Sequence, residues 1–360
     1  MLCIAAFLVI LVLAAVSAKY RRLLGRAWGC TWRRVTLRAC DTSFGEDLKN
    51  SILAPLAVRA PRLVKPASIG IEVAAWVMVV SMIVSLFIVG RSGLNLFVYG
   101  TCDKENAQAC SLSSEACSIE STEPAFWDSV ARGDVFGAFG DEFSSLGETI
   151  AAVPSRLKTW DAAEYAPAYA TYLQGYREEL PVAVEVIDPG CSVCAQLFRN
   201  IEESGIAETH NLTYIAYPID GAYASKFPHS PLVASYLTAV RIHEDGRAAE
   251  GAETADWHIL RQIFTGSNAE GVGWQVWLNQ EATPEQAEVQ LQDWLREAGY
   301  QDADLADVER LVDSQQVADL LAANRTTVED DIRTVKIPSL IIEGRLHAGL
   351  VDTPELEGMN

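Results

Sequence analysis

Apolar positions follow three different patterns along this chain. Two unbroken runs come first, "LCIAAFLVILVLAAVSA" at 2–18 and "IEVAAWVMVVSMIVSLFIVG" at 71–90, the second with one acid at its edge. A helix crossing a hydrocarbon layer of about 30 Å needs about 20 apolar residues. The second run meets that length and the first is at its short end, so two transmembrane helices are expected, at 1–18 and 71–90. Residues 122–176 are partly amphipathic and rich in Trp, Phe and Tyr, which predicts a mostly helical, packed connector.

A different pattern begins at 181. "VAVEVI" (182–187) has the β-branched content of a short strand, "AQLFRNIEESG" reads as a helix ending near Gly205, and "LTYIAYPI" (212–219) is a second apolar strand. Strand, helix and strand in such close succession predict a βαβ unit with a parallel pair. Residues 227–335 read as mainly helical, with turns at "HEDGRAAEG" and "GSNAEGVG". "VKIPSLIIEG" and "RLHAGLVD" then read as two strands joined at Glu343-Gly344, a hairpin signal. The organisation expected is helix 1–18, basic loop 19–70, helix 71–90, connector 91–179, and an α/β domain at 180–360 carrying a helical insertion at about 227–335.

Charge decides the topology. The 360 residues carry a net charge of -20, which argues against nucleic acid as a partner, and 49% hydrophobic residues exclude a disordered tail. Residues 19–70 nevertheless hold eleven Lys/Arg against three acids, whereas 91–360 hold seventeen basic residues against forty-four acidic ones. Positive segments stay in the cytoplasm, so the loop is expected inside and 91–360 outside, as a multi-pass cell-membrane protein. Small residues Ala14 and Ala18 end the first run, as they would in a cleaved signal peptide. However, such peptides carry their positive charge before the apolar core, and here "KYRRLLGR" follows it. Thr42-Ser43 reads as the start of a short amphipathic helix on the inner leaflet. Cys30 and Cys40 are expected to be reduced there, and with no histidine in the loop a zinc site lacks ligands.

Cysteine carries the chemistry. Cys102, Cys110 and Cys117, in an oxidising space, should form at least one disulfide, structural or part of a relay. The cysteine left over would pair with another chain or exchange with the pair at 191–194. That pair, Cys191-Ser192-Val193-Cys194, lies where a strand ends and a helix begins. Backbone N–H groups and the positive helix end stabilise a thiolate there, so Cys191 is expected as the exposed attacking thiol and the more buried Cys194 as the resolving one. Zinc would need a second CxxC, which the chain lacks, and a purely structural disulfide across so short a loop constrains the unfolded chain little.

Two further residues belong with the pair. Glu185 sits in the apolar strand six residues before Cys191, where an acid is costly unless it has work to do; a raised pKa would let it exchange a proton with Cys194. Its bland reading is an exposed strand residue. Pro338 opens the strand "KIPSLII" and cannot donate to a ladder. A cis Ile337–Pro338 bond would hold this strand start beside the cysteines, with the Ile337 backbone open to a substrate strand. The histidines (210, 229, 243, 258, 347) are scattered singly, and Trp274, Trp277 and Trp294 read as core of the insertion. Asn211 and Asn324 open triplets of the glycosylation pattern, which chance often produces.

Taken together, "VEVIDPGCSVC", the following helix, "LTYIAYPI", the helical insertion and "VKIPSLIIEGRLHAG" resemble the thioredoxin superfamily, most closely its DsbA-like branch, over roughly 180–356. The resemblance implies a thioredoxin-like fold, a catalytic Cys191–Cys194 pair, Glu185 beneath the active site, and a cis-Pro338 facing it. The insertion is longer than that branch suggests. The Ser-Val between the cysteines and Asp188 just before them depart from the strong oxidases, which leaves the direction of electron flow open. The expected function is a membrane-anchored extracytoplasmic thiol–disulfide oxidoreductase acting on protein thiols and disulfides, with no metal, no dissociable cofactor, and a membrane redox partner for recycling. Two alternatives stay open: a reductase or isomerase fed by a membrane electron carrier, and a non-catalytic binding module with a permanent disulfide.

Overall fold

The computed structural model describes residues 61–102, 116–118, 131–219, 225–245 and 252–359, with isolated positions 53, 54, 58 and 104. The first apolar run and most of the basic loop, including Cys30, Cys40 and most of its expected amphipathic helix, lie outside the described residues. The chain divides into one unit ending at Arg91 and a second spanning Ser92–Asn360.

Helix α1 (Val64–Tyr99) is longer than the run that predicts it. Within it Val79–Tyr99 is long and apolar enough to cross a membrane, overlapping the expected 71–90. Apolar side chains project on every side: Trp76, Val77, Val80, Ile83, Val84, Leu86 and Ile88 are all exposed. Such an all-round apolar surface suits a hydrocarbon environment. This is the one candidate span among the described residues; the other expected span, at 1–18, falls on residues that are not described.

Within the second unit, Asn95 near the end of α1 is buried and receives a hydrogen bond from Thr149 of α2 (Val135–Leu157), Oγ1 to Oδ1 at 2.9 Å. Asp134 caps α2 by accepting from Gly137 N. Beyond Leu157 the connector departs from the helical expectation. It continues as irregular chain with one 3-10 turn at Ala162–Tyr165, because "AEYAPAYATYLQGYREELP" carries Pro and Gly where a helix would need hydrogen bonds.

The core sheet has four strands among the described residues. Strand β2 (Val182–Ile187) pairs parallel with β3 (Asn211–Ala216) and antiparallel with β5 (Ser339–Ile342), which in turn pairs with β6 (Arg345–Ala348). The β5–β6 turn places Glu343 and Gly344 at φ 49° and 73°, the two left-handed positions of the tight hairpin expected there. Helix α3 (Ser192–Ser204) connects β2 to β3 and ends at Gly205, φ 70°. Being central and covered on both faces, β2 buries Ala183 through Ile187 without alternation. This βαβ–ββ arrangement is a thioredoxin-like mixed sheet.

The insertion between β3 and β5 holds six α-helices among the described residues, α4 (Ser230–Glu244), α5 (Ala255–Thr265), α6 (Trp274–Gln280), α7 (Pro284–Glu297), α8 (Asp302–Val312) and α9 (Gln315–Thr326), the last running into a π-helical turn at Thr327–Ile332. Trp294 is fully buried and meets Trp274 edge-on, and Trp274 meets Trp277 in the same way, so these rings pack the insertion as expected. A buried ionic cluster ties the insertion to the sheet. Asp256 accepts from Arg241 Nε (2.8 Å), Tyr214 OH (2.8 Å), Thr171 Oγ1 (2.5 Å) and Thr254 Oγ1 (2.5 Å). A short α10 (Thr353–Glu357) closes the domain against α3, where Asn200 Nδ2 donates to Val351 O.

Candidate functional site

The site begins at the end of β2. Asp188 is fully buried, and its carboxylate accepts from Gly190 N (2.7 Å), Ile219 N (2.7 Å) and Ser230 Oγ (2.5 Å). These bonds fix the turn that delivers Cys191 to the N-cap of α3. Gly190 is required by space, since a Cβ there would meet Phe227 and Ser230 at 2.6 Å. Two side chains of α6 grip the same turn from outside. Gln275 Nε2 donates to Pro189 O (2.8 Å) and Cys191 O (3.1 Å), and Asn279 Nδ2 donates to Gly190 O (2.9 Å). The sequence reading missed both; their i, i+4 spacing was visible, but not the turn they face.

Cys191 is not the exposed thiol expected from the sequence. It is fully buried and forms a disulfide with Cys117. The cause is a two-stranded sheet outside the core, in which β1 (Cys117–Ser118) runs antiparallel to β4 (Lys336–Ile337). Cys117 stands opposite Ile337 and Ser118 opposite Lys336, so β1 lies over Cys191 and shields it. Of the other two cysteines in that segment, Cys102 accepts a backbone hydrogen bond from Asn95 (3.4 Å), and Cys110 lies outside the described residues.

The β4 edge is rigidly braced. The Ile337–Pro338 bond is cis. Ser339 Oγ donates to Lys336 O (2.7 Å) and lies 2.8 Å from Thr334 Oγ1, while Gly349 N donates to Pro338 O (2.8 Å). Ile337 O lies 3.8 Å from Cys191 Sγ, so the structure brings Cys191, Ile337 and Pro338 together. Lys336 is buried, with Nζ donating to Gly100 O, and loss of water holds its pKa below the usual lysine range.

Cys194, one turn beyond Cys191, is fully buried and accepts from Asp188 N at 3.4 Å. Burial pushes its thiol well above its ordinary pKa; the charge of Glu185 pushes it further, the Asp188 N–H pulls it back, and the Asp188 charge adds a smaller push. Thus Asp188, expected to disfavour a thiolate at Cys191, bears on Cys194 and chiefly organises the turn. Glu185 is 1% exposed in mid-strand, opposite Tyr214 on one side and Leu340 on the other. Its Oε1 has no hydrogen-bond partner, and loss of water raises its pKa to about 8. The exposed-residue reading of Glu185 is therefore excluded. Chemically, the arrangement holds a disulfide sulfur at a helix N-terminus, a thiol one turn on, and a carboxyl that titrates near neutrality.

The remaining sequence candidates lie elsewhere. His210 pairs with Glu343, His243 with Asp304, His258 with Glu253 and Glu297, and His347 with Glu355. No group of three or more metal-ligating side chains occurs among the described residues. Asn211 is a structural clamp, accepting from Arg177 N and donating to Arg177 O and Leu180 O. Asn324 donates to Ala216 O.

No family model and no curated protein matches the chain. Among solved structures similar to part of the chain are the following three. A thioredoxin-like oxidoreductase from Silicibacter pomeroyi DSS-3 is 18% identical, with a TM-score of 0.38, over 54% of this chain and 92% of its own. The thiol–disulfide exchange protein alpha-DsbA2 from Wolbachia pipientis is 16% identical, with a TM-score of 0.39, over 57% and 96%. ScsC from Proteus mirabilis, in a transitional conformation, is 14% identical, with a TM-score of 0.38, over 66% and 95%.

Proposed function

We propose that this protein is a membrane-anchored thiol–disulfide oxidoreductase whose Ser92–Asn360 unit exchanges disulfides with protein cysteines in the extracytoplasmic space. One observation carries the reading: Cys191 is engaged in a disulfide at the N-terminus of α3 while a second, protonated thiol waits one turn away beside a titratable carboxyl. A permanently structural bond has no use for either companion.

Cys191 is the exchanging sulfur. When it is reduced, the N–H groups of the first turn of α3 favour its thiolate, which is the nucleophile in exchange. Cys194 resolves: it attacks Cys191 Sγ, the bond from Cys191 to the substrate sulfur breaks, and the Cys191–Cys194 disulfide forms. Because burial keeps Cys194 protonated, it must give up its proton to react and regain one when it leaves. Glu185, with a pKa of about 8, matches that task. Ile337, beside cis-Pro338, presents its backbone to the incoming strand by β-augmentation. The cysteine pair itself stores the electrons, so no dissociable cofactor is needed. α1 anchors the domain, and the acidic balance of 91–360 against the basic 19–70 supports the outward orientation.

The test uses the full chain in detergent with a peptide bearing one cysteine, itself carried as a mixed disulfide. In chains that also carry Cys117→Ser and are reduced before the assay, Cys191→Ser should abolish exchange, and Cys194→Ser should leave the peptide trapped on Cys191. Exchange by Cys191→Ser at the wild-type rate would overturn the proposal.

A further inference from the structure

The segment covering Cys191 has the marks of an occupant. The Cys117–Ser118 strand adds to the β4 edge residue by residue, with Cys117 opposite Ile337. Its sulfur is bonded to Cys191, and both cysteines are buried. Backbone pairing along a strand edge combined with a covalent sulfur link is the geometry an extended protein substrate would adopt here. The occupant comes from the same chain, 74 residues upstream. Further upstream, Asn95 is bonded to Thr149 and to Cys102 O, and Lys336 Nζ to Gly100 O.

Resting on the function proposed above, we propose that Cys117 is the third redox cysteine of this protein: a tethered substrate strand that fills the groove and holds Cys191 until Cys194 releases it. In the release step the Cys194 thiolate attacks Cys191 Sγ. The Cys117–Cys191 bond breaks, the Cys191–Cys194 bond forms, and Cys117 leaves as a thiolate that takes up the proton Cys194 gave to Glu185. One disulfide replaces another with no net oxidation, so the chain interconverts between two isomers. In the closed isomer the groove is occupied and Cys194 is a thiol; in the open isomer the groove is vacant and Cys117 is a thiol. An outside strand enters only the open isomer.

Tethering sets the size of the effect. A segment on a short linker acts at an effective concentration of about 1 mM, so it outcompetes a free peptide at about 10 μM roughly 100-fold. The full chain is purified in detergent without reductant, acid-quenched, alkylated, digested with trypsin, and analysed by mass spectrometry. The peptide carrying Cys117 should be joined to the one carrying Cys191 in the wild type and quantitatively in Cys194→Ser, and this species should vanish in Cys117→Ser. Its absence from both wild type and Cys194→Ser would overturn the inference. In parallel, Cys117→Ser should react with about 10 μM cysteine peptide roughly 100-fold faster than the wild type. Equal rates would overturn the inference while leaving the proposed function standing. No exchange by either chain would overturn the oxidoreductase reading beneath it.

Discussion

Replacing Glu185 with Gln isolates the energetic signature of the buried carboxyl. The unfolded chain ionises this group near pH 4.5 and the folded chain near 8. Between those values the folded state keeps a proton that the unfolded state has released, so stability falls as pH rises, by about 1.4 kcal/mol per pH unit. Below pH 4.5 both states are protonated and the penalty is absent; above about 8 it is complete, on the order of 5 kcal/mol. Glutamine has nearly the same shape and does not titrate. The pH-independent cost of burying its amide shifts the whole curve without tilting it. Cys194, raised well above its ordinary range, stays protonated throughout and adds no slope in this window. Urea unfolding of wild type and Glu185→Gln, both without reductant, should show the variant gaining about 2.5 kcal/mol relative to wild type between pH 5.5 and 7.5. A difference independent of pH would refute the reasoning, because it would mean that Glu185 is as well solvated folded as unfolded.

Other substitutions test the architecture around the turn. Asn279→Ala and Gln275→Ala leave backbone carbonyls of the Pro189–Cys191 turn without their donors and should each cost about 1–3 kcal/mol in chemical denaturation. Gly190→Ala drives a methyl into Phe227 and Ser230 and should lower stability by about 1–3 kcal/mol, measured as a drop in Tm. Asp256→Asn strips the buried Arg241 of its counter-charge; a loss of about 3–5 kcal/mol is expected from calorimetry, with the site chemistry unchanged once folded.

The parts of the fold legible in the sequence are those decided by local pattern. The β-branched run at 182–187 became β2 over those same residues, and Glu343-Gly344 became a turn because its neighbours could pair only if two residues adopted positive φ. The cysteine pair, the buried acid and the proline came together because a strand, a helix start and an antiparallel return leave them few other places. What was not legible depends on distant docking. Helix α1 continues past the apolar run because Asn95 and Tyr99, polar or amphipathic by sequence, are buried in the second unit. The pairing of Cys117 with Cys191 follows from a two-residue strand too short to give a periodic signal. Gln275 and Asn279 act at the site only because α6, a seven-residue helix, is set against the Pro189 turn.

The central claim is that Cys191 and Cys194 form an exchangeable redox pair. The most direct test equilibrates the full-length Cys117→Ser chain with a graded series of glutathione buffers and counts alkylated thiols at these two positions. The account predicts a reversible two-electron transition at a potential between about -120 and -270 mV, the span of known exchange proteins. A disulfide that stays closed, or thiols that stay open, across the whole series would contradict it.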